Sequence, residues 1–189
     1  MSLLPALTPA RDIQLRAGHR ELGEFSAHVV FSIYKMADFT FGYVTPKNLS
    51  NFCEELLQST RLSCTVIIIS LKYLQKYLDS RNAINFGVER TYLIAIILAD
   101  KFHNDHRYSN QSWSEITEIP FKEINYMEST FLKCLNFQMY INGNECMDWI
   151  NFLTEYIKAQ QLLYFVPPRY IDSIKTDIQI ISKLIIRHA

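Results

Sequence analysis

Three observations predict an all-α fold. Apolar residues recur at helical spacing along most of the chain, no run reads securely as a strand, and the connecting stretches are short, without repeats or low-complexity segments. Of the 189 residues, 49 % are hydrophobic and only 11 are Gly or Pro. That composition belongs to a globular chain that buries roughly 70 % of its unfolded surface, not to a disordered one.

The segment 1–18 carries two prolines and no clear period, and reads as an irregular arm. From His19 to Phe39, Leu22, Phe25, Val29, Val30, Ile33 and Met36 fall on one helical face. Thr45-Pro46 opens the next helix, with Thr45 as N-cap, Pro46 at the first helical position and an apolar face of Leu49, Phe52, Cys53, Leu56 and Leu57. After a polar corner at Ser59–Ser63, the run TVIIIS reads alone as a strand, because β-branched residues favour sheet. It continues without Gly or Pro through LKYLQKYL, and length decides for a helix over Cys64–Leu78. Asp79–Gly87 is polar and loop-like. Val88–His103 is apolar all round in TYLIAIILA, the mark of a central helix covered on every side. A polar burst follows at once (Asp100, Lys101, His103, Asn104, Asp105, His106, Arg107) and marks an emerging surface.

Ser112-Trp-Ser-Glu115 fits a capping box and starts a short helix ending near Glu118. Pro120 opens another, running to Asn136 with Phe121, Ile124, Met127, Glu128, Phe131 and Leu132. Asn142-Gly-Asn is a break, Glu145–Lys158 is helical, Pro167-Pro168 is a stop, and Arg169 onward reads as a last helix. The sum is about eight helices. The chain closes on ISKLIIRHA inside an apolar-periodic segment, so either it has been trimmed or its last helix reaches the terminus.

The formal net charge is zero, with cations interspersed among anions. A nucleic-acid binder would carry a basic excess or stripe, so the expected partner is a protein or a small ligand. The four cysteines (Cys53, Cys64, Cys134 and Cys146) form no CxxC pair and sit in apolar contexts, which points to free thiols in a reducing compartment. The N-terminus shows no signal peptide, and the apolar runs fall far short of the roughly 20 residues a membrane helix needs.

The stretch from Tyr92 to Gln138 carries an apolar helix ending in LADK, a polar loop, a Trp-containing short helix, and a helix with MExxFL followed by Leu-Asn-Phe. Upstream, SLKYLQKYL and NLSNFCEELL stand at matching places. In this order and spacing the chain resembles the cyclin box over residues 45–140, with the helix at 20–39 as an N-terminal addition. Asp105, Tyr108, Ser109, Asn110, Trp113 and Glu118-Ile-Pro120 further resemble the fungal PCL-type cyclins; cyclin Y is more distantly similar.

The resemblance implies a five-helix box at about 46–59, 63–79, 88–103, 112–118 and 120–135. It divides the chain into the arm 1–18, the N-terminal helix plus box 19–140, and reduced C-terminal helices 141–189 packing on the box. It also implies a regulatory subunit, not an enzyme, that binds and activates a Pho-type cyclin-dependent kinase and helps select its substrates. No nucleic acid, membrane, metal or cofactor would be needed, and the expected location is nucleus and cytoplasm.

Kinase docking would fall to Lys101 and Glu128, with apolar anchors near Phe102, Tyr108 and Phe131. On residue type alone, an ordinary internal salt bridge between Lys101 and Glu128 is the commoner outcome; the resemblance favours docking. Asp105 is similar to a loop acid that engages the unphosphorylated activation-loop Ser of the partner kinase, as a phosphate would. A solvated loop Asp is the plain alternative, and Asn104 or a neighbour could hold the role instead.

The chain departs from cell-cycle cyclins in its first two box helices. NLSNFCEEL and YLQKYL, with Gln75, lack both their internal Arg–Asp pair and their docking patch for RxL substrate motifs. Other functions stay open on the residues. His103, Asp105 and His106 could ligate a metal, but HxDH lacks the HD order of phosphohydrolases and the HExxH of zinc proteases. Neither a Gly-rich phosphate loop nor a nucleophile elbow is present. A non-activating cyclin-fold adaptor, or a transcription-related cyclin-like protein, would share the fold.

Overall fold

The computed structural model describes residues 18–37 and 46–163, together with positions 176 and 178. Among them are seven helices and no strand: α1 (His19–Met36), α2 (Pro46–Thr60), α3 (Cys64–Leu78), α4 (Val88–His103), α5 (Asn110–Thr117), α6 (Phe121–Cys134) and α7 (Gly143–Leu163). The expected arm at 1–17, the Thr45 cap and most of the last expected helix lie outside the described residues; Thr176 and Ile178 are helical.

Helix α4 occupies the centre. Every residue from Thr91 to Asp100 is buried. Enclosure of an all-apolar helix by other helices removes its whole surface from water, and that burial is the main favourable term in the fold. Helix α3 packs along it, and this is why the TVIIIS run is helical. Val66 to Leu71 are all buried, so burial in a helical core overrides the sheet preference of the β-branched residues. Ser63 caps α3 by accepting from the Val66 amide.

The buried hydroxyls of Ser26, Ser70 and Thr91 donate to carbonyls one turn earlier, at Leu22, Ile67 and Gly87. They enter the core at little cost because each has a local acceptor.

Helix α1 buries Leu22, Phe25, Val29, Val30 and Ile33 as its spacing predicts, but it leaves Met36 59 % exposed. Its tightest approach is to α2. A Cβ on Gly23 would lie 2.9 Å from both the Cα and the N of Glu54. Only a residue without a side chain permits that backbone-to-backbone contact.

One side chain of α3 reaches into the loop between α3 and α4. The Tyr77 hydroxyl donates to the Ile84 carbonyl and accepts from the Ile84 amide, both at 2.9 Å, while its ring stacks on Phe131. Gly87, at φ 89°, then turns the chain into α4. Helix α7 meets α3 and α1: Trp149 Nε1 donates to the Ile68 carbonyl at 2.9 Å, and the Tyr156 hydroxyl donates to the His28 carbonyl at 3.1 Å.

The start of α5 differs from expectation. Ser109, not Ser112, is the N-cap, with its Oγ accepting from the Ser112 amide at 3.1 Å. Ser112 therefore sits inside the first turn, and Glu115 accepts from Gln111 instead of closing a box. Both serines have the same chemistry, and the anchoring of the preceding loop decides which one caps. Glu118 ends the helix in the left-handed region at φ 58°.

Gly23→Ala gives an opposed pair of effects: about 1 kcal/mol gained in helix propensity against about 1–3 kcal/mol lost to overpacking. The atoms in the way are backbone and cannot swing aside. A net loss of stability in urea or thermal unfolding is expected, and a net gain would mean that α1 and α2 separate freely.

Candidate functional site: the polar edge at the end of α4

The last residues of α4 leave the core where α5 and α6 arrive, and three consecutive side chains there play separate roles. Asp100 is fully buried, contrary to its expected place in the surface burst. Its carboxylate accepts from Asn104 Nδ2 at 2.5 Å and from the Tyr108 amide at 2.9 Å. A buried carboxylate is tolerated only when hydrogen-bonded, and here its two donors come from either end of the loop that follows. That loop carries Asp105, His106 and Arg107, all exposed.

Lys101 is half-buried, with its apolar stem over the core and its ammonium at the edge. Nζ lies 2.5 Å from Glu128 Oε1 on α6. The other oxygen, Oε2, accepts from Asn110 Nδ2 on α5 at 2.5 Å, and the same amide donates to Asn125 Oδ1 at 2.7 Å. The pair that the sequence places 27 residues apart therefore meets at one point where three helices converge. Phe102, the next residue along α4, is 57 % exposed.

Tyr108 is half-buried and engaged within the chain: its hydroxyl donates to the Thr60 carbonyl at 3.1 Å and its ring meets Trp113 edge-on. Phe131 is fully buried and stacked on Tyr77, so it is a core residue and not the surface anchor expected. On α6, Glu128 is only partly exposed, and Phe131, three residues on, is fully buried against Tyr77 of α3.

His103 reaches Tyr73, with Nε2 3.0 Å from the hydroxyl. That hydroxyl donates its single hydrogen to the Met139 carbonyl at 2.7 Å, and burial raises its pKa so that it keeps that hydrogen. His103 Nε2 must then be the donor to Tyr73. Burial also lowers the His103 pKa below its ordinary value. Among the described residues, no cluster of three or more His, Cys, Asp or Glu is arranged to hold a metal ion, and no helix is long and apolar enough to cross a membrane. None of the four cysteines is in a disulfide, and burial pushes the Cys53 and Cys146 thiols up.

Sequence reasoning missed the roles of Asp100 and Asn110. The signals were present: an Asp and an Asn four apart across a helix end, and an Asn immediately after the Ser that caps the next helix.

A central apolar helix ringed by others, with a Lys–Glu pair where it emerges, describes one known class of regulatory domain. Residues 24–139, more than half of the chain, match the family model described as Cyclin, and the chain belongs to that family. Cyclins are regulatory subunits rather than enzymes. The matched stretch begins inside α1, so it takes in the helix that the motifs alone left as an addition.

Among curated proteins the chain is similar to PHO85 cyclin CLG1 of Saccharomyces cerevisiae, 35 % identical over 117 residues, covering 57 % of this chain and 25 % of that protein. It is similar to PHO85 cyclin-5 of the same yeast, 28 % identical over 110 residues, covering 54 % of this chain and 48 % of that one. It is also similar to the G1/S-specific cyclin pas1 of Schizosaccharomyces pombe, 24 % identical over 138 residues, covering 69 % and 34 %. These agree with the resemblance to fungal PCL-type cyclins. The chain spans between a quarter and about half of the length of these relatives. No solved structure matches it.

Two outcomes follow from this geometry. Asp100→Ala leaves the Tyr108 amide without its acceptor and should cost about 1–3 kcal/mol; hydrogen exchange at the Tyr108 amide should speed up well before global unfolding. For His103, the folded pKa lies below the unfolded value, so its stabilising contribution is complete above about pH 6.5. It is lost as pH falls from there toward the folded pKa, because the unfolded chain binds the proton first. Unfolding temperatures measured between pH 7.5 and 5 should fall less steeply for His103→Phe than for the wild type.

Proposed function

We propose that this chain binds and activates a cyclin-dependent kinase of the Pho type, docking through the edge formed by Lys101, Phe102 and Glu128. The observation that carries the reading is the convergence of Lys101 and Glu128 at one half-buried point, with the exposed Phe102 next to Lys101 in the chain. A charged pair at the rim of an apolar patch grips a partner's backbone and fixes its orientation more than it adds raw affinity. The PHO85 cyclins among the relatives support this class of partner.

Docking there would shift the kinase toward the conformer in which its catalytic Lys–Glu pair and activation loop are aligned. Asp105, exposed on the loop anchored by Asp100, is the group we assign to the activation-loop hydroxyl. Tyr108 would act at that contact through its remaining exposed edge. The interface should exceed about 1,600 Å² in total. Selection of kinase substrates belongs to the same reading.

The test is pull-down and kinase stimulation with a PHO85-type kinase. Lys101→Ala/Glu128→Ala should lose about 2–5 kcal/mol of binding and the stimulated activity with it, with the helical circular dichroism unchanged. A wild-type chain that binds without stimulating would be an adaptor. A double variant that binds as well as the wild type would move the docking site elsewhere.

A further inference from the structure

Within that docking reading, on which this step rests, Glu128 poses a physical problem. A Glu side chain has three torsions and, at a half-buried surface, little to hold it in one rotamer. Lys101 reaches only Oε1, and a lysine ammonium is a point charge on a flexible stem that imposes no direction. A second group must fix the plane of the carboxylate if it is to present a defined edge to a partner.

Asn110 is that group. It stands at the first position of α5, directly after the Ser109 cap and two residues after Tyr108, whose amide is tied to the buried Asp100. Its backbone is therefore anchored to the residue that precedes Lys101. Its amide nitrogen donates to Glu128 Oε2 and to Asn125 Oδ1, on α6 one turn before Glu128. Both hydrogens of the amide are used. The reverse orientation would set the amide oxygen against a carboxylate and a second amide oxygen, so electrostatics selects the orientation present. That orientation leaves Asn110 Oδ1 buried without a hydrogen-bond partner among the described residues. An unsatisfied buried acceptor is costly, and the chain accepts it while keeping both donors on α6.

We infer that Asn110 is a positioning residue for kinase docking: it holds the Glu128 carboxylate in a fixed plane against Lys101, so that the pair is set before the partner arrives. Fixing a side chain in its bound arrangement beforehand removes part of the ordering cost of association.

A double-mutant cycle with the full chain and a PHO85-type kinase tests this, with affinity read by titration calorimetry. Asn110→Ala should weaken binding about tenfold, as expected for loss of a hydrogen bond to a charged group, yet less than about twofold when Glu128 is already Ala. Equal losses in both backgrounds, or no loss at all, would overturn the inference. Asn110→Asp is nearly isosteric and favourable in the first turn of a helix, so α5 survives while the donors are lost; it should weaken binding at least as much as Asn110→Ala, and wild-type affinity in it would also overturn the assignment.

If Glu128→Ala alone leaves affinity unchanged, the docking reading fails, and the positioning role is then decided on the free chain. Side-chain NMR relaxation of Glu128 should report greater mobility in Asn110→Ala; unchanged order would sink the positioning role by itself.

Discussion

The enclosure of α4 constrains everything around it. A helix with no exposed face from Thr91 to Asp100 needs neighbours on all sides, and α1, α3 and α6 supply them. An enclosed helix must also end somewhere, and past Asp100 its C-terminal end meets solvent, as Arg90 does in its first turn. The polar edge is thus a product of the core: Asp100 is the last enclosed residue, Lys101 straddles the boundary, and Phe102 is already outside.

The buried Asp100 carboxylate links that core to the surface. Its hydrogen bonds to Asn104 and Tyr108 turn the following loop back on the helix end, which sets where Ser109 caps α5 and where Asn110 begins it. From there one amide reaches α6. Three helices are thereby joined through a short run of charge-assisted hydrogen bonds, which are stronger than neutral ones and more exacting in geometry. The geometry of the edge rests on this linkage and not on any single ion pair, since partly exposed pairs taken alone contribute little.

The helices were legible for identifiable reasons. Periodicity placed α3 and α4 at their observed bounds, because both are long and no Gly or Pro interrupts them. The Lys101–Glu128 pair was legible only through the resemblance, since a separation of 27 residues leaves no local trace. Boundaries set by capping were less secure: Ser109 and Ser112 are both good caps, and only the anchoring of Tyr108 to Asp100 separates them. Phe131 and Met36 were misplaced because helical phase fixes relative direction along a helix but not how far each neighbour extends over it.

The amino-acid sequence by itself determined the helical class, the central position of α4 and the sudden polarity at its end, because these depend on local pattern and composition. Tertiary structure alone decided that Asp100 lies inside and Phe102 outside, that His103 donates to Tyr73, and that Asn110 closes on Glu128. Those outcomes depend on which groups from distant segments share a space too small for water, where each buried donor or acceptor must find its partner or stand unpaired.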